Sequence, residues 1–307
     1  MAVRRAGESQ AEFVERILGP HKMGAIHKPA PPEVPRFFAA SPEVIATLPA
    51  SVDLRQYDAP IMDQGSLGSC CAHGWMGIFE WLQNYIDKAK YFAGSRLALY
   101  YWARVVDGDP TVDNGTTLPS CNTVTGATGV AHETLWPYNT AEFATEPPLT
   151  AQADAAKNKT TASAALASMT VDTIKTALNV PHPVAFAFNV YEGYENATDN
   201  GGKIGMPSGD IIGAHCNVVV GYNDATTNLD STTGAFIVRN SWATSWGDKG
   251  YGYMPYGYAT GGDMLGGWVV TAETGLTPPS PTPTPTPTAT PNMNITVNVK
   301  EFQPGYQ

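Results

Sequence analysis

Cysteine is scarce in this 307-residue chain, which has only Cys70, Cys71, Cys121 and Cys216, two of them adjacent. So few cysteines in so long a chain exclude a small disulfide-stapled scaffold. The ordinary fate of each is a buried, inert thiol, and that is the expectation for Cys121. Long apolar runs are also missing: no stretch of about 18 consecutive apolar residues exists, so no helical membrane span is expected. Positive charge is short, with 18 Lys and Arg against 28 Asp and Glu and a formal net charge of −10. That balance gives no electrostatic basis for nucleic acid or an anionic membrane as a main partner. A site that takes basic segments would be helped by it. The opening MAVRRAGESQAEFVERILGPHK starts basic, but no apolar core follows, so it does not read as a secretory signal peptide.

Hydrophobic residues make up 43% of the chain and charged residues 15%, the balance of a globular protein long enough to bury a sizeable core. Residues 1–22 predict a short helix with Phe13, Ile17 and Leu18 on one side. Residues 27–49 are proline-rich and predict an extended arm, because proline fixes φ and removes a donor. Trp75, Ile78, Phe79, Leu82, Tyr85 and Ile86 recur at three- and four-residue steps, which predicts a helix over 71–86. Further helices are expected over 95–106 and over the Ala-rich Ser163–Leu178. From Val184 the segments VAFAFNVY, CNVVVGYN and GAFIVRNSW read as strands separated by Gly, Asn and Asp. Helices first and strands later predict an α+β fold of two lobes with a cleft between them. The expected organisation is an arm or short propeptide-like segment over 1–48 and a folded domain over 49–276. A stiff Pro/Thr-rich linker over 277–291 and a strand-like tail over 292–307 follow. One strand cannot fold alone, so the tail either adds to a partner's sheet or begins a further domain.

Three segments carry chemistry. In DQGSLGSCCAHGW (63–75) a Gly- and Ser-rich turn leads into a helix at the cysteines. A thiol at a helix N-terminus faces free N–H groups and the positive end of the dipole, which lowers its pKa and favours the thiolate. Only Cys70 sits at that junction; Cys71 is already inside the helix. In GAHCNVVVGYN (213–223) His215 precedes a β-rich run, where a lone His is more often a satisfied core residue than a catalyst. In FIVRNSWATSWGDKGYGYMPY (236–256) Asn240 ends a strand and Trp242 and Trp246 follow. The bland alternatives are a buried Cys pair and an aromatic-rich hairpin. Together the segments supply a nucleophile, a base and an amide that orients the base, the three parts of thiol acyl transfer.

On these segments the chain, over about residues 49–272, resembles the papain-like cysteine peptidases. LPASVDLR is similar to the start of the mature enzymes, and DQGSLGSC to their nucleophile segment, with Gln64 six positions before Cys70. GAHCNVVVGY and NSWATSWGDKGYGY are similar to their His and Asn segments, TGVAHETLWPY to the loop before the second lobe, and HPVAFAFNVY to the strand entering it. The resemblance implies a helical left lobe and a β-rich, barrel-like right lobe. It implies Cys70 as nucleophile, His215 as general base and later acid, Asn240 as its orienter and Gln64 as an oxyanion donor beside the Cys70 N–H. It further implies that Trp242 shields the His–Asn bond and that Trp246 lines the leaving-group side. Cys216 and Ala187 are implied at the main specificity pocket, and Gly115 at the strand pairing with substrate backbone. No metal or organic cofactor is implied; the partner is a peptide or protein substrate, and a reduced thiol is required.

Several positions depart from that family. Cys71 replaces an aromatic residue, Leu67 a disulfide cysteine, Ala243 a glycine, and Asn217 an apolar residue. The first 48 residues lack a long helical propeptide pattern. Absence of the disulfide framework resembles the prokaryotic and viral branches. It suits a reducing compartment, while the Pro/Thr linker suits a surface or extracellular enzyme. The same acyl-enzyme would also serve a transpeptidase or ligase, and a degenerate copy would serve as an inert binding or structural module. Residues 1–48 are expected either to block the cleft or to pack on the surface.

Overall fold

The computed structural model describes residues 5, 7–19 and 21–276, so the linker over 277–291 and the tail over 292–307 lie outside the described residues. Helix α1, Gln10–Leu18, is opened by Ser9 and Glu12. The Ser9 hydroxyl accepts from the Glu12 N–H at 3.2 Å and the Glu12 carboxylate accepts from the Ser9 N–H at 2.8 Å, a reciprocal cap. Phe13 and Leu18 are buried. The chain then runs extended, in keeping with its prolines, through strand β1, Arg36–Phe37, one helical turn α2, Pro42–Ile45, and strand β2, Ser51–Asp53.

Four helices follow: α3, Cys70–Asp87; α4, Arg96–Asp107; α5, Leu118–Ala127; and α6, Leu149–Ala155. The stripe over 71–86 becomes α3, which is buried all round from Cys70 to Gln83. Two glycines set its seat. Gly in a helix interior costs about 1 kcal/mol relative to Ala. Here a Cβ at Gly74 would stand 2.7 Å from Cys216 Sγ, and one at Gly77 2.9 Å from Val218 Cγ2. Cys70, Gly74 and Gly77 share a helix face, so the same face that lets a strand approach presents Cys70 to it. The expected helix over 95–106 is α4, capped by the Ser95 hydroxyl on the Ala98 N–H and closed by Gly108 at φ +115°. Arg96 of α4 pairs with Glu80 of α3 at 2.7 Å, both fully buried.

The remaining elements are strand β3, Thr160–Leu166; helix α7, Val171–Asn179; strands β4, Val184–Tyr191, β5, Ile211–Thr227, β6, Thr233–Arg239, and β7, Tyr251–Pro255; helical turn α8, Gly257–Thr260; and strand β8, Met264–Glu273. The helix expected over Ser163–Leu178 is instead the end of β3 followed by α7. Pairing with β8, with Ala165 opposite Trp268, overrides the helix propensity of the alanines. The helix begins only where the Thr170 hydroxyl caps the Thr173 N–H.

The sheet runs β1-β3-β8-β4-β5-β6-β7, with β2 added alongside β5. Its end strands β1 and β7 do not pair, so the β-rich lobe is an open sheet and not closed into a barrel. Alternation along β5 separates two cores. Cys216, Val218 and Val220 join the cluster around α3, while Val219 and, past the register shift between Val219 and Gly221, Tyr222 join Phe186, Phe188, Tyr194, Phe236 and Trp242 on the other face. Helices gathered before a mostly antiparallel sheet, with one core on each side, make this an α+β fold.

Candidate active site

The N-terminus of α3, β5, the end of β6 and the loop before α3 bring Cys70, His215, Asn240 and Gln64 together. His215 lies on β5 opposite Phe188 of β4, and Asn240 follows the last residue of β6, whose Arg239 pairs with Val218. The His215 Nε2 lies 2.8 Å from Asn240 Oδ1, which also accepts from the Ser241 N–H at 2.8 Å. Two donors on one oxygen fix the amide's orientation and require Nε2 to carry the proton. In the neutral ring Nδ1 is then an acceptor. Nδ1 is buried with no hydrogen bond at ordinary distance, and the ring lies near enough to Cys70 to draw its thiol pKa downward. Trp242 packs against the His215 ring at 4.8 Å between centroids and is itself buried, keeping water from the His–Asn bond.

Gln64 is fully buried. Its Oε1 accepts from the Ser241 hydroxyl at 2.6 Å, which leaves Nε2 as the outward donor. That nitrogen donates to Leu67 O at 2.8 Å and to Lys22 O at 2.7 Å. The main chain is held to the same loop by Gln64 N–H to Ser241 O at 2.9 Å, and Tyr138 OH donates to Gln64 O at 2.9 Å.

The Lys22 carbonyl belongs to the N-terminal arm, which runs through the site. His21 stacks on Trp242 at 5.1 Å. Thr116 N–H donates to Gly24 O and Ile26 N–H to Thr116 O, both at 3.0 Å, so Ala25 pairs with Thr116 in parallel. Ala25 N–H also donates to Ala214 O at 3.2 Å. This approach is possible because both sides are glycine. A Cβ at Gly24 would stand 2.1 Å from Gly68 O, and one at Gly115, at φ +81°, would stand 2.0 Å from Gly24 O. Lys22 and Lys28 pair with Asp113 and Asp107 at 2.7 and 3.1 Å.

Burial alters the expected electrostatics of Cys70. The thiol was expected below its ordinary pKa because of the helix N-terminus. Instead burial pushes it well above that range, contact with Cys71 raises it further, and His215 opposes both. Cys70 is wholly inaccessible, and burial disfavours its anion.

Other expected pocket residues divide. Ala187 borders a small cavity with Leu118, Pro119, Gly266 and Trp268, against Ile26, His27 and Lys28 of the arm. Cys216 does not form an open wall: it pairs with Ala187, but its thiol fills the niche over Gly74 and is buried. Trp246 is also buried, stacked on Tyr194 at 5.2 Å and edge-on to Trp242, so it supports the Trp242 shield from behind. Gly115 gives the arm room, whereas Thr116 beside it makes the backbone pairing. Asn217 resolves its departure by donating to the Tyr194 hydroxyl, and Ala243 adopts φ +58°, the left-handed backbone that the replaced glycine would take without strain.

Ser241, which orients Gln64, and Asp113, which holds the loop before Cys70 by accepting from the Gly68 N–H at 3.0 Å, were not singled out from the sequence. Their partners lie 177 and 45 residues away. The only local signal was adjacency of Ser241 to Asn240 and of Asp113 to the Gly115 segment.

A family model for papain family cysteine proteases matches residues 48–264. An uncharacterised peptidase C1-like protein of Acanthamoeba polyphaga mimivirus is 30% identical over 226 residues, covering 69% of this chain and 70% of its own. Cysteine proteinase 1 of Dictyostelium discoideum is 28% identical over 234 residues, covering 72% of this chain and 64% of its own length, a little under two thirds. Among solved structures, xylellain, a cysteine protease from Xylella fastidiosa, superposes with a TM-score of 0.72 at 28% identity, covering 81% of this chain and 96% of its own. Procathepsin B from Trypanosoma congolense shares the fold, with a TM-score of 0.65 at 19% identity, over 87% of this chain and 89% of its own.

Proposed function

Since the chain belongs to the papain family of cysteine proteases, we propose that it hydrolyses peptide bonds through a thioester formed on Cys70. The observation that carries this reading is the His215 ring, held by Asn240 at Nε2 with its acceptor nitrogen Nδ1 left for the Cys70 thiol. Once Cys70 is exposed, its proton passes to Nδ1 and gives a thiolate–imidazolium pair. The thiolate attacks the scissile carbonyl, and Gln64 Nε2 with the Cys70 N–H stabilises the oxyanion. His215 protonates the leaving amine and then takes a proton from the water that cleaves the thioester, which regenerates the thiol.

Two finer points follow. The arm enters beside Trp242 and leaves beyond Thr116, so the cleft admits a chain at both ends, which supports endopeptidase action. The same occupancy supports residues 1–48 as an inhibitory segment: Gln64 donates to Lys22 O, and Cys70 is sealed from solvent. The test is hydrolysis of a denatured protein substrate followed by mass spectrometry. Cys70→Ala is expected to abolish cleavage and Cys71→Ala to retain most of it, because Cys71 lies inside the helix among other thiols. Equal loss from both, with circular dichroism unchanged, would overturn the assignment.

A further inference from the structure

We infer that Asp113 selects substrates carrying lysine or arginine at the residue that supplies the scissile carbonyl, an inference that rests on the peptidase reading. Asp113 lies beside the oxyanion donor. Its Oδ1 accepts from the Gly68 N–H at 3.0 Å and from the Tyr100 hydroxyl, and Gly68 adjoins Leu67, whose carbonyl takes one of the two Gln64 Nε2 bonds. The carboxylate is thus fixed within the turn that joins Gln64 to Cys70. Its side chain is 15% exposed, and Oδ2 is the oxygen that meets the arm: Lys22 Nζ donates to it at 2.7 Å and to the Asp113 carbonyl at 2.8 Å.

Lys22 is also the residue whose carbonyl is bound by Gln64 Nε2. One residue of the arm therefore satisfies the oxyanion donor with its backbone and Asp113 with its side chain. Any substrate whose carbonyl replaces that of Lys22 at Gln64 carries its own side chain within a lysine's reach of Asp113. A four-carbon stem ending in an ammonium adapts to the approach direction, and a guanidinium makes two bonds to one carboxylate. Departure of the arm leaves Oδ2 facing the cleft as an anion short of its cation. A neutral or acidic side chain there leaves that charge unpaired, which makes discrimination steep.

The experiment uses the full chain and fluorogenic peptides that differ only at this position, as Lys, Arg, Gln, Leu or Asp. The arm must leave before any peptide enters, so its occupancy scales kcat/KM for all of them by the same factor and cancels in the ratios. The expected Lys:Gln ratio is about 10 to 100, the range of one hydrogen-bonded charge. Asp113→Asn is expected to bring it within about threefold, with Asp113→Glu restoring part of it. A ratio near one in the unmodified chain, or one unmoved by Asp113→Asn, would overturn the inference. If no peptide is cleaved by the full chain or by the Lys22→Ala chain, whose arm has lost its side-chain anchor on Asp113, the peptidase reading fails, and the inference is judged separately by fluorescence anisotropy of the same peptides on the Lys22→Ala chain. Tighter binding of the Lys peptide than of the Gln peptide, lost in Lys22→Ala/Asp113→Asn, supports it; equal binding refutes it.

Discussion

Gln64 is useful to the site only with its amide one way round, and a neighbouring hydroxyl decides which. Ser241 Oγ–H donates to Oε1, which commits Nε2 to the side proposed for the oxyanion. Ser241→Ala removes that preference without touching a reacting atom, so Ser241 is a positioning residue. Loss of a whole oxyanion donor costs about 10²–10³ in kcat; partial misorientation is expected to cost roughly tenfold, in kcat and not in KM. Ser241→Thr, which keeps the hydroxyl, should recover most of it. A Ser241→Ala effect confined to KM, or no rescue by Thr, would assign Ser241 a packing role only. Single residues were legible in the sequence where the chemistry names the residue type: a thiol at a helix start, a His before a strand, an amide beside an indole. Ser241 and Asp113 were not, because each acts through a side-chain partner that only the folded chain brings near.

At the scale of elements, the arm and the three glycine backbones at its crossing act as one unit. Gly24 lies between Gly68 and Gly115, and a Cβ there meets backbone atoms of Gly68, which cannot swing aside as a flexible side chain would. Gly24→Ala is therefore expected to lift the arm at a cost of about 1–3 kcal/mol, the usual scale of overpacking. The consequence is electrostatic. Burial raises the Cys70 pKa, so exposure lowers it, and at a given pH the thiolate fraction rises. Iodoacetamide alkylation of Cys70, mapped by mass spectrometry across pH, should be at least about tenfold faster in Gly24→Ala, with the increase of rate with pH setting in at a lower pH than in the parent. Gly193→Ala, where a Cβ meets nothing within 4 Å, is the control. Unchanged Cys70 reactivity would mean that the arm is not what masks the thiol. Element type was legible where large apolar residues recur at helical spacing, as in α3, or run nearly continuously, as in β4 and β5. It was not legible over 163–178, because alanines that favour a helix alone also let β3 lie flat against Trp268. The arm's course through the cleft was one of two readings, and backbone-to-backbone contact through glycine leaves little trace in a residue pattern.

For the whole molecule, the α+β class was legible as helices followed by strands, whereas closure of the sheet depends on whether end strands meet, which no single strand's sequence records. Its response to pH is set by charges enclosed between elements. Glu273 of β8 is nearly buried and bonded by Gln83 of α3, whose Nε2 lies 3.1 Å from Oε2, while Oε1 has no partner. Burial raises its pKa from the ordinary 4.5 to about 9; the Gln83 bond lowers it only in part, and nearby Glu80 adds to the rise. The sign follows from proton counting. Below about pH 4.5 folded and unfolded chains both hold the proton, and Glu273 contributes no pH-dependent term. Between about 4.5 and 9 the folded chain keeps it while the unfolded chain has lost it, so the stability contributed by this group falls as pH rises. Above about 9 both are ionised and the loss levels off. Glu273→Gln keeps the shape and removes the titration. Thermal unfolding should show the variant close to the parent at pH 4 and more stable at pH 7, by on the order of 2–3 kcal/mol, with the gap widening toward pH 9. A gap of the same size at every pH would mean that Glu273 is ionised in the fold, with a counter-charge between α3 and β8 taking the place of the proton.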